Sequence, residues 1–134
     1  MNSVRLDTRK LDMIMKNLPK AILEVEEKIG ADVVAVAKEL APVDEGTLRA
    51  SIYMRTPDKN ERPNVTAESG NIELPAPKDN LSVTVGPSVG HGVWQELGTG
   101  QMAAQPYLTP AVQQIRGRLD RYYDDYGRAL GDDE

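Results

Sequence analysis

The chain has no cysteine and no phenylalanine, a single tryptophan and a single histidine in 134 residues. Without cysteine there is no disulfide framework and no thiolate nucleophile, and one histidine without cysteine excludes the common zinc sites. With so few aromatics, Leu, Val, Ile and Ala must fill the core, a stock that suits helix-rich packing. No apolar run approaches the roughly 18 residues of a membrane span. The opening MNSVRLDTRKLDM is too charged for a secretory signal, so a soluble protein made in the cytosol, without membrane contact, is expected. Basic residues are also in deficit: 16 Lys and Arg against 21 Asp and Glu leave a net charge of −5. That sign opposes a tight grip on a phosphate backbone, and no basic patch interleaved with aromatics is present.

What is present is periodicity. The length predicts one domain. Val4 and Leu6 are compatible with a short strand, and Leu11, Ile14, Met15 and Leu18 then recur at helical spacing, with Thr8 or Asp7 as the cap. Pro19 is expected to interrupt this pattern, as a kink or as the first residue of a new helix. Ile22, Val25, Ile29, Val33, Val36 and Leu40 then step by three and four, which predicts one long amphipathic helix ending at Ala41-Pro42. Gly30 inside it costs about 1 kcal/mol relative to alanine and marks close packing. In APVDEGTLRASI a tight turn leads to an extended segment, with Asp44 as a turn or cap residue.

Thr56 to Asn80 contains four prolines and far exceeds the usual connection length. Leu81, Val83 and Val85 alternate with polar residues and stop at Gly86-Pro87, a half-buried strand whose expected antiparallel partner is the segment from Ser51 to Arg55. The long connection is then a hairpin arm projecting from the sheet. Val112, Ile115, Leu119, Tyr122 and Tyr126 predict a second long helix, capped by Thr109, entered through Pro110 and closed by Gly131. The adjacent Tyr122 and Tyr123 cannot share a face, so one is core and the other exposed. The closing GDDE is an acidic, solvated tail.

Chemistry finds little footing. His91 lies in a glycine-flanked turn without a serine-nucleophile motif, so it reads as a loop histidine. GTGQMA fits a dinucleotide fingerprint only formally, since the strand before it and the helix directly after it are missing. Asp44 and Glu96 are the carboxylates a small hydrolase would use, but no spacing brings them together, and Glu96 beside Arg49 makes an equally simple ion pair. No catalytic residue, cofactor or metal is therefore expected. A core alone leaves Gly98-Thr99-Gly100, then Met102 and Ala103-Ala104, unexplained: a small-residue surface just ahead of a rigid helix start.

Two blocks, AKELAPVDEGTLRASI from Ala37 to Ile52 and VWQELGTGQMAAQPYLTPA from Val93 to Ala111, carry a composite signature. Its elements are Pro42, Val43, Asp44, Gly46, Leu48, Ser51 and Ile52, then Trp94, Glu96, Gly98, Thr99, Met102, Ala104, Pro106, Tyr107, Leu108, Pro110 and Ala111. With the order of helices and strands around them, the chain resembles a family of tailed-bacteriophage neck and tail proteins, the head-to-tail joining or tail-completion proteins. It departs from the family pattern at Glu45, Trp94 and Thr109, and its arm is long for the family.

The resemblance implies an α+β fold, a small twisted antiparallel sheet packed by two long amphipathic helices, to which the residues themselves add the long hairpin arm. It also implies a structural virion protein forming a ring, a hexamer, at the head-to-tail interface around the DNA channel. The partners implied are copies of the chain, neighbouring connector and tail-tube proteins, and DNA passing through without specific binding. A tail-terminator ring and a cytosolic module that docks one partner through its arm are the alternatives. Trp94, Glu96, Gly98, Thr99, Gly100, Met102, Pro106 and Tyr107 are the expected subunit-interface residues, and Pro42, Asp44, Gly46 and Leu48 the expected turn residues. The glycine turn serves either a neighbouring subunit or the closing of the chain's own core, since glycine turns do both.

Overall fold

The computed structural model describes residues 8–42 and 46–132, with all side chains among them except those of 10, 11, 14 and 126–132. Five helices and two strands follow in the order α1 (Arg9–Leu40), α2 (Gly46–Ser51), β1 (Tyr53–Arg55), β2 (Thr84–Gly86), α3 (His91–Leu97), α4 (Leu108–Arg116) and α5 (Leu119–Asp132). The α+β class holds, with a two-stranded sheet and α1 as the long element against which the rest packs. The suggested strand at Val4 and Leu6, and Asp7, lie outside the described residues.

α1 runs unbroken through Pro19, where an interruption was expected. A proline removes one intrahelical amide bond. Here the loss falls where residues 15–20 are all exposed, so water can serve the orphaned carbonyl. Thr8 holds the N-cap position without a capping side-chain bond; its hydroxyl lies 3.4 Å from the Asp12 carboxylate. At the other end Ala41 is extended, as a residue before proline must be.

The buried track of α1 is Ala21, Val25, Val33, Ala37 and Ala41. Leu40, expected on that track, is 39% exposed. Ala37 and Ala41 of that track share one buried cluster with the largest fully buried side chains of the core, Tyr107, Leu48 and Ile52. Gly30 does mark a close approach: a Cβ there would stand 2.5 Å from the Met54 Sδ and 3.1 Å from a Val83 methyl.

β1 and β2 pair antiparallel with Tyr53 opposite Gly86 and Arg55 opposite Thr84, the pairing the alternation predicts. Residues 46–51, expected as a turn leading into strand, instead form the short helix α2, which buries Leu48 and Ser51. Gly46 opens that helix with nothing within 4 Å of its Cβ position. Pro42 is half-buried at the end of α1, and Asp44 lies outside the described residues.

The long connection does not project. It lies back on the body, burying Leu74, while Val65 and Ala67 pack against the core. The Tyr53 hydroxyl donates to Asn60 (3.0 Å) and accepts from the Leu74 amide (3.3 Å), and Arg55 donates to the Leu74 carbonyl (2.7 Å). Farther along, the Ile72 amide donates to Ser88 and the Gly90 amide to Gly70. A loop this long needs such bonds, because its buried backbone groups have no ladder partners of their own.

The second long helix is broken at Gly117-Arg118 into α4 and α5. Glycine weakens a helix interior, and the turn it allows lets α5 follow α1. Tyr122 then donates its hydroxyl to Asp32, and Tyr123 donates to Glu26 at 3.1 Å. Tyr122 packs against the core and Tyr123 is exposed, so the two tyrosines divide as expected. Gly131, the expected stop, lies inside α5.

Candidate assembly surface

α3 begins at His91, so this histidine is helical rather than in a loop. Its ring Nδ1 lies 2.9 Å from the Ser69 hydroxyl, a bond that ties the long connection to the helix. Gly92 follows, buried. A Cβ there would sit 2.5 Å from Pro87 and 2.8 Å from Leu48, so only glycine lets α3 approach the core this closely. Into the same place comes Tyr107, fully buried, donating its hydroxyl to the Gly92 carbonyl at 2.8 Å. Burial pushes the Tyr107 phenol well above its ordinary range, and the nearby charge of Glu96 pushes it further.

Between α3 and α4 the chain turns at Gly98, whose φ of 77° lies in the left-handed region. A Cβ on Gly98 would approach the Ala104 nitrogen to 2.8 Å. Thr99 and Met102 then exchange backbone bonds of 2.8 and 3.3 Å, and the Gln105 amide donates to Gln95 at 2.7 Å. Gly100 has no positive φ and no neighbour near its Cβ position. The special backbone expected of both glycines belongs to Gly98 alone.

α4 starts at Leu108 with Tyr107 at the N-cap position and no cap from that residue's own side chain. Its first amides are served from a distance. The Glu96 carboxylate accepts from the Tyr107, Leu108 and Thr109 amides at 3.0, 2.6 and 3.2 Å, and from the Thr109 hydroxyl at 2.7 Å. Thr109, expected as the cap itself, is instead a donor to the residue that caps. Partial burial pushes the Glu96 carboxyl up. The Thr109 hydroxyl and the amides of Leu108, Tyr107 and Thr109 outweigh that and hold it below its ordinary value. A negative charge at a helix start also meets the positive end of the helix dipole.

Burial corrects one expected contact residue. Tyr107 is a core side chain, and the carboxylate of Glu96 is engaged within its own chain. The same bonding disfavours Glu96 as a hydrolytic base, since four donors compete for its lone pairs. Arg49, the other half of the suggested ion pair, points a guanidinium nitrogen at the Ala41 carbonyl, 3.4 Å away.

Much of what the locked segment turns outward is apolar, beside the exposed polar side chains of Thr99, Gln101 and Gln105. Val93, Trp94, Leu97 and Met102 are exposed, Leu97 by 73% and Trp94 by 48%. Thr99, Gly100 and Pro106 are exposed beside them. Trp94 and Met102 also form one wall of an open cleft of about 670 Å³, completed by His91, Gln95, Thr47 of α2 and the stretch from Thr66 to Ser69. Among the described residues no group of three His, Cys, Asp or Glu could hold a metal ion, and no helix is long and apolar enough to cross a membrane.

The comparison that decides the identity is with family models. The HK97-gp10-like family, described as "Bacteriophage HK97-gp10, putative tail-component", matches residues 8–98. The chain belongs to this phage tail-component family. The matched span runs from the start of α1 to the Gly98 turn, so it takes in the core-forming helix, the sheet and α3, while α4 and α5 follow it. Comparison with curated proteins and with solved structures finds no match. Membership makes the chain a structural component of the virion.

Sequence reasoning missed Gly92, the buried Ser51 and Ser88 pair, and the tyrosine bonds to α1. Ser88 donates both its amide and its hydroxyl to the Ser51 carbonyl at 3.0 Å, across 37 positions of sequence. No periodicity signals a bond between residues so far apart.

Proposed function

We propose that this tail component assembles as an oligomeric ring, a hexamer, that joins or completes the head-to-tail interface around the DNA channel. The observation that carries this reading is the exposed set Val93, Trp94, Leu97 and Met102 on a segment braced from inside by Gly98, Glu96 and Tyr107. Apolar side chains grouped on a surface mark a contact with another protein, and bracing them beforehand lowers the entropy lost on contact. Copies of the chain are the primary partners, with connector and tail-tube proteins above and below. The net charge of −5 suits a ring that surrounds DNA without holding it, because like charge lets a duplex slide.

Removing the gene tests the position. Filled heads and finished tails that fail to unite place the chain at the junction; tails of uncontrolled length place it as the terminator of the tube; normal particles refute both. Purified chain is expected to bind duplex DNA very weakly at all salt concentrations. Tight binding that falls steeply with salt would contradict free passage of DNA.

A further inference from the structure

The three most exposed large apolar side chains of the described residues are Leu97, Met15 (62%) and Met13 (58%), and they lie at opposite ends of the molecule. Met13 and Met15, with Leu18, belong to the first turns of α1. Every described side chain from Thr8 to Lys20 is exposed, and the first buried residue of the helix is Ala21. This stretch therefore extends beyond the core as a helical spur. At the other end, α3 and its Trp94–Met102 cleft sit over Leu48, beside Ala37 and Ala41. At a rise of roughly 1.5 Å per residue, the spur's apolar residues and Ala41 are about 35–42 Å apart along an unbroken helix. Neither apolar patch can cover the other within one chain.

The two ends also differ in charge. Arg9, Lys10, Lys16 and Lys20 against Asp12 give residues 9–20 a net charge of +3, so the rest of the chain, from a total of −5, carries −8. Lys16 and Lys20 are exposed on the spur. The residues lining the cleft include the acidic Glu68 and no lysine or arginine.

We propose that the spur of one copy docks into the Trp94–Met102 cleft of the next, with Met15 and Leu18, three residues apart and so on one face of the helix, as the apolar anchors, and with the positive charge of the spur drawn toward the acidic body. Methionines adapt to an open cleft and pack favourably against an aromatic ring such as Trp94. An apolar helix face laid in a groove is an established way to join two chains. Because giver and receiver are different surfaces, the contact is head to tail, and repetition closes a ring when the rotation per copy allows. This deepens the ring reading and rests on it.

The absence of cysteine allows a clean test. Particles are grown with Met15→Cys chains, Met102→Cys chains, an equal mixture, or the double variant, then oxidised and run without reductant. The expected result is dimer from the mixture alone among the first three, and a ladder of higher bands from the double variant. Leu18→Cys with Leu97→Cys provides a second pair should the first disturb incorporation. Dimers from either single variant would indicate a two-fold contact and overturn the proposal. A cross-link to a different virion protein, or no cross-link in particles whose rings are visible by electron microscopy, would overturn it while leaving the ring intact. Particles without any closed circle of this chain would instead sink the ring reading; a 15-to-102 cross-link in them would leave the spur contact standing by itself.

Discussion

Glu96 shows how one side chain couples two helices that the sequence leaves as neighbours only. It sits on α3 and satisfies the amides that open α4, a service usually rendered by a residue adjacent to the helix. Replacing it with alanine should cost about 1–2 kcal/mol in urea-induced unfolding, the loss typical of a helix cap. The pH dependence has a definite sign. The folded-state pKa is depressed, so the stabilisation is present above the ordinary carboxylate value of 4.5 and disappears as pH falls through the lower folded value. Glu96→Gln should therefore flatten the acid limb of the stability profile, measured as denaturation midpoint against pH; an unchanged limb would mean that the carboxylate bonds are not formed. The glycines of the same turn should part company. Gly98→Ala forces a side chain into a left-handed backbone 2.8 Å from the Ala104 nitrogen and should destabilise by more than about 1 kcal/mol. Gly100→Ala meets open space and should stay within about 0.5 kcal/mol by thermal melting.

At the level of elements, the docking of α5 on α1 rests visibly on two tyrosine hydroxyls. Burial, the hydrogen bond to Asp32 and that residue's charge push the Tyr122 phenol up to about 12, with Arg118 opposing. A raised pKa means the stabilisation is complete below the ordinary value of 10 and lost as pH rises from there through about 12. Tyr122→Phe should lower stability by about 1 kcal/mol at neutral pH and remove that alkaline loss, read by circular dichroism during a base titration. The elements also show what was legible. The step of α1 and the alternation into β2 were open to view because burial of one face imposes its period on the residues themselves. The continuity of α1 through Pro19, the helical α2 and the break at Gly117 were not. The first two depend on whether the local backbone is exposed or pressed against a neighbour, which no local pattern encodes; the third had a local signal, the glycine itself, beneath an apolar period that runs on across it.

For the whole molecule, stability and assembly should be separable. Leu97→Asp alters a side chain that is 73% exposed, so the isolated chain should keep its unfolding free energy to within about 0.5 kcal/mol. A charge in an apolar contact should nonetheless abolish or strongly reduce infectious particle yield, measured by complementation of a gene deletion. Full infectivity would remove α3 from the assembly surface. The sequence by itself determined the long amphipathic helix, the pairing of two short strands, the acidic balance and the composite of motifs whose family the chain proved to share. It could do so because periodicity, charge and turn chemistry are written in neighbouring residues. Only the tertiary structure decided that Tyr107 is core, that Glu96 is spent within its own chain, that the long connection lies flat against the body, and that Val93, Trp94, Leu97 and Met102 remain outside. Those assignments depend on which distant surfaces meet, and a periodic pattern marks the face that is buried without naming the surface it meets.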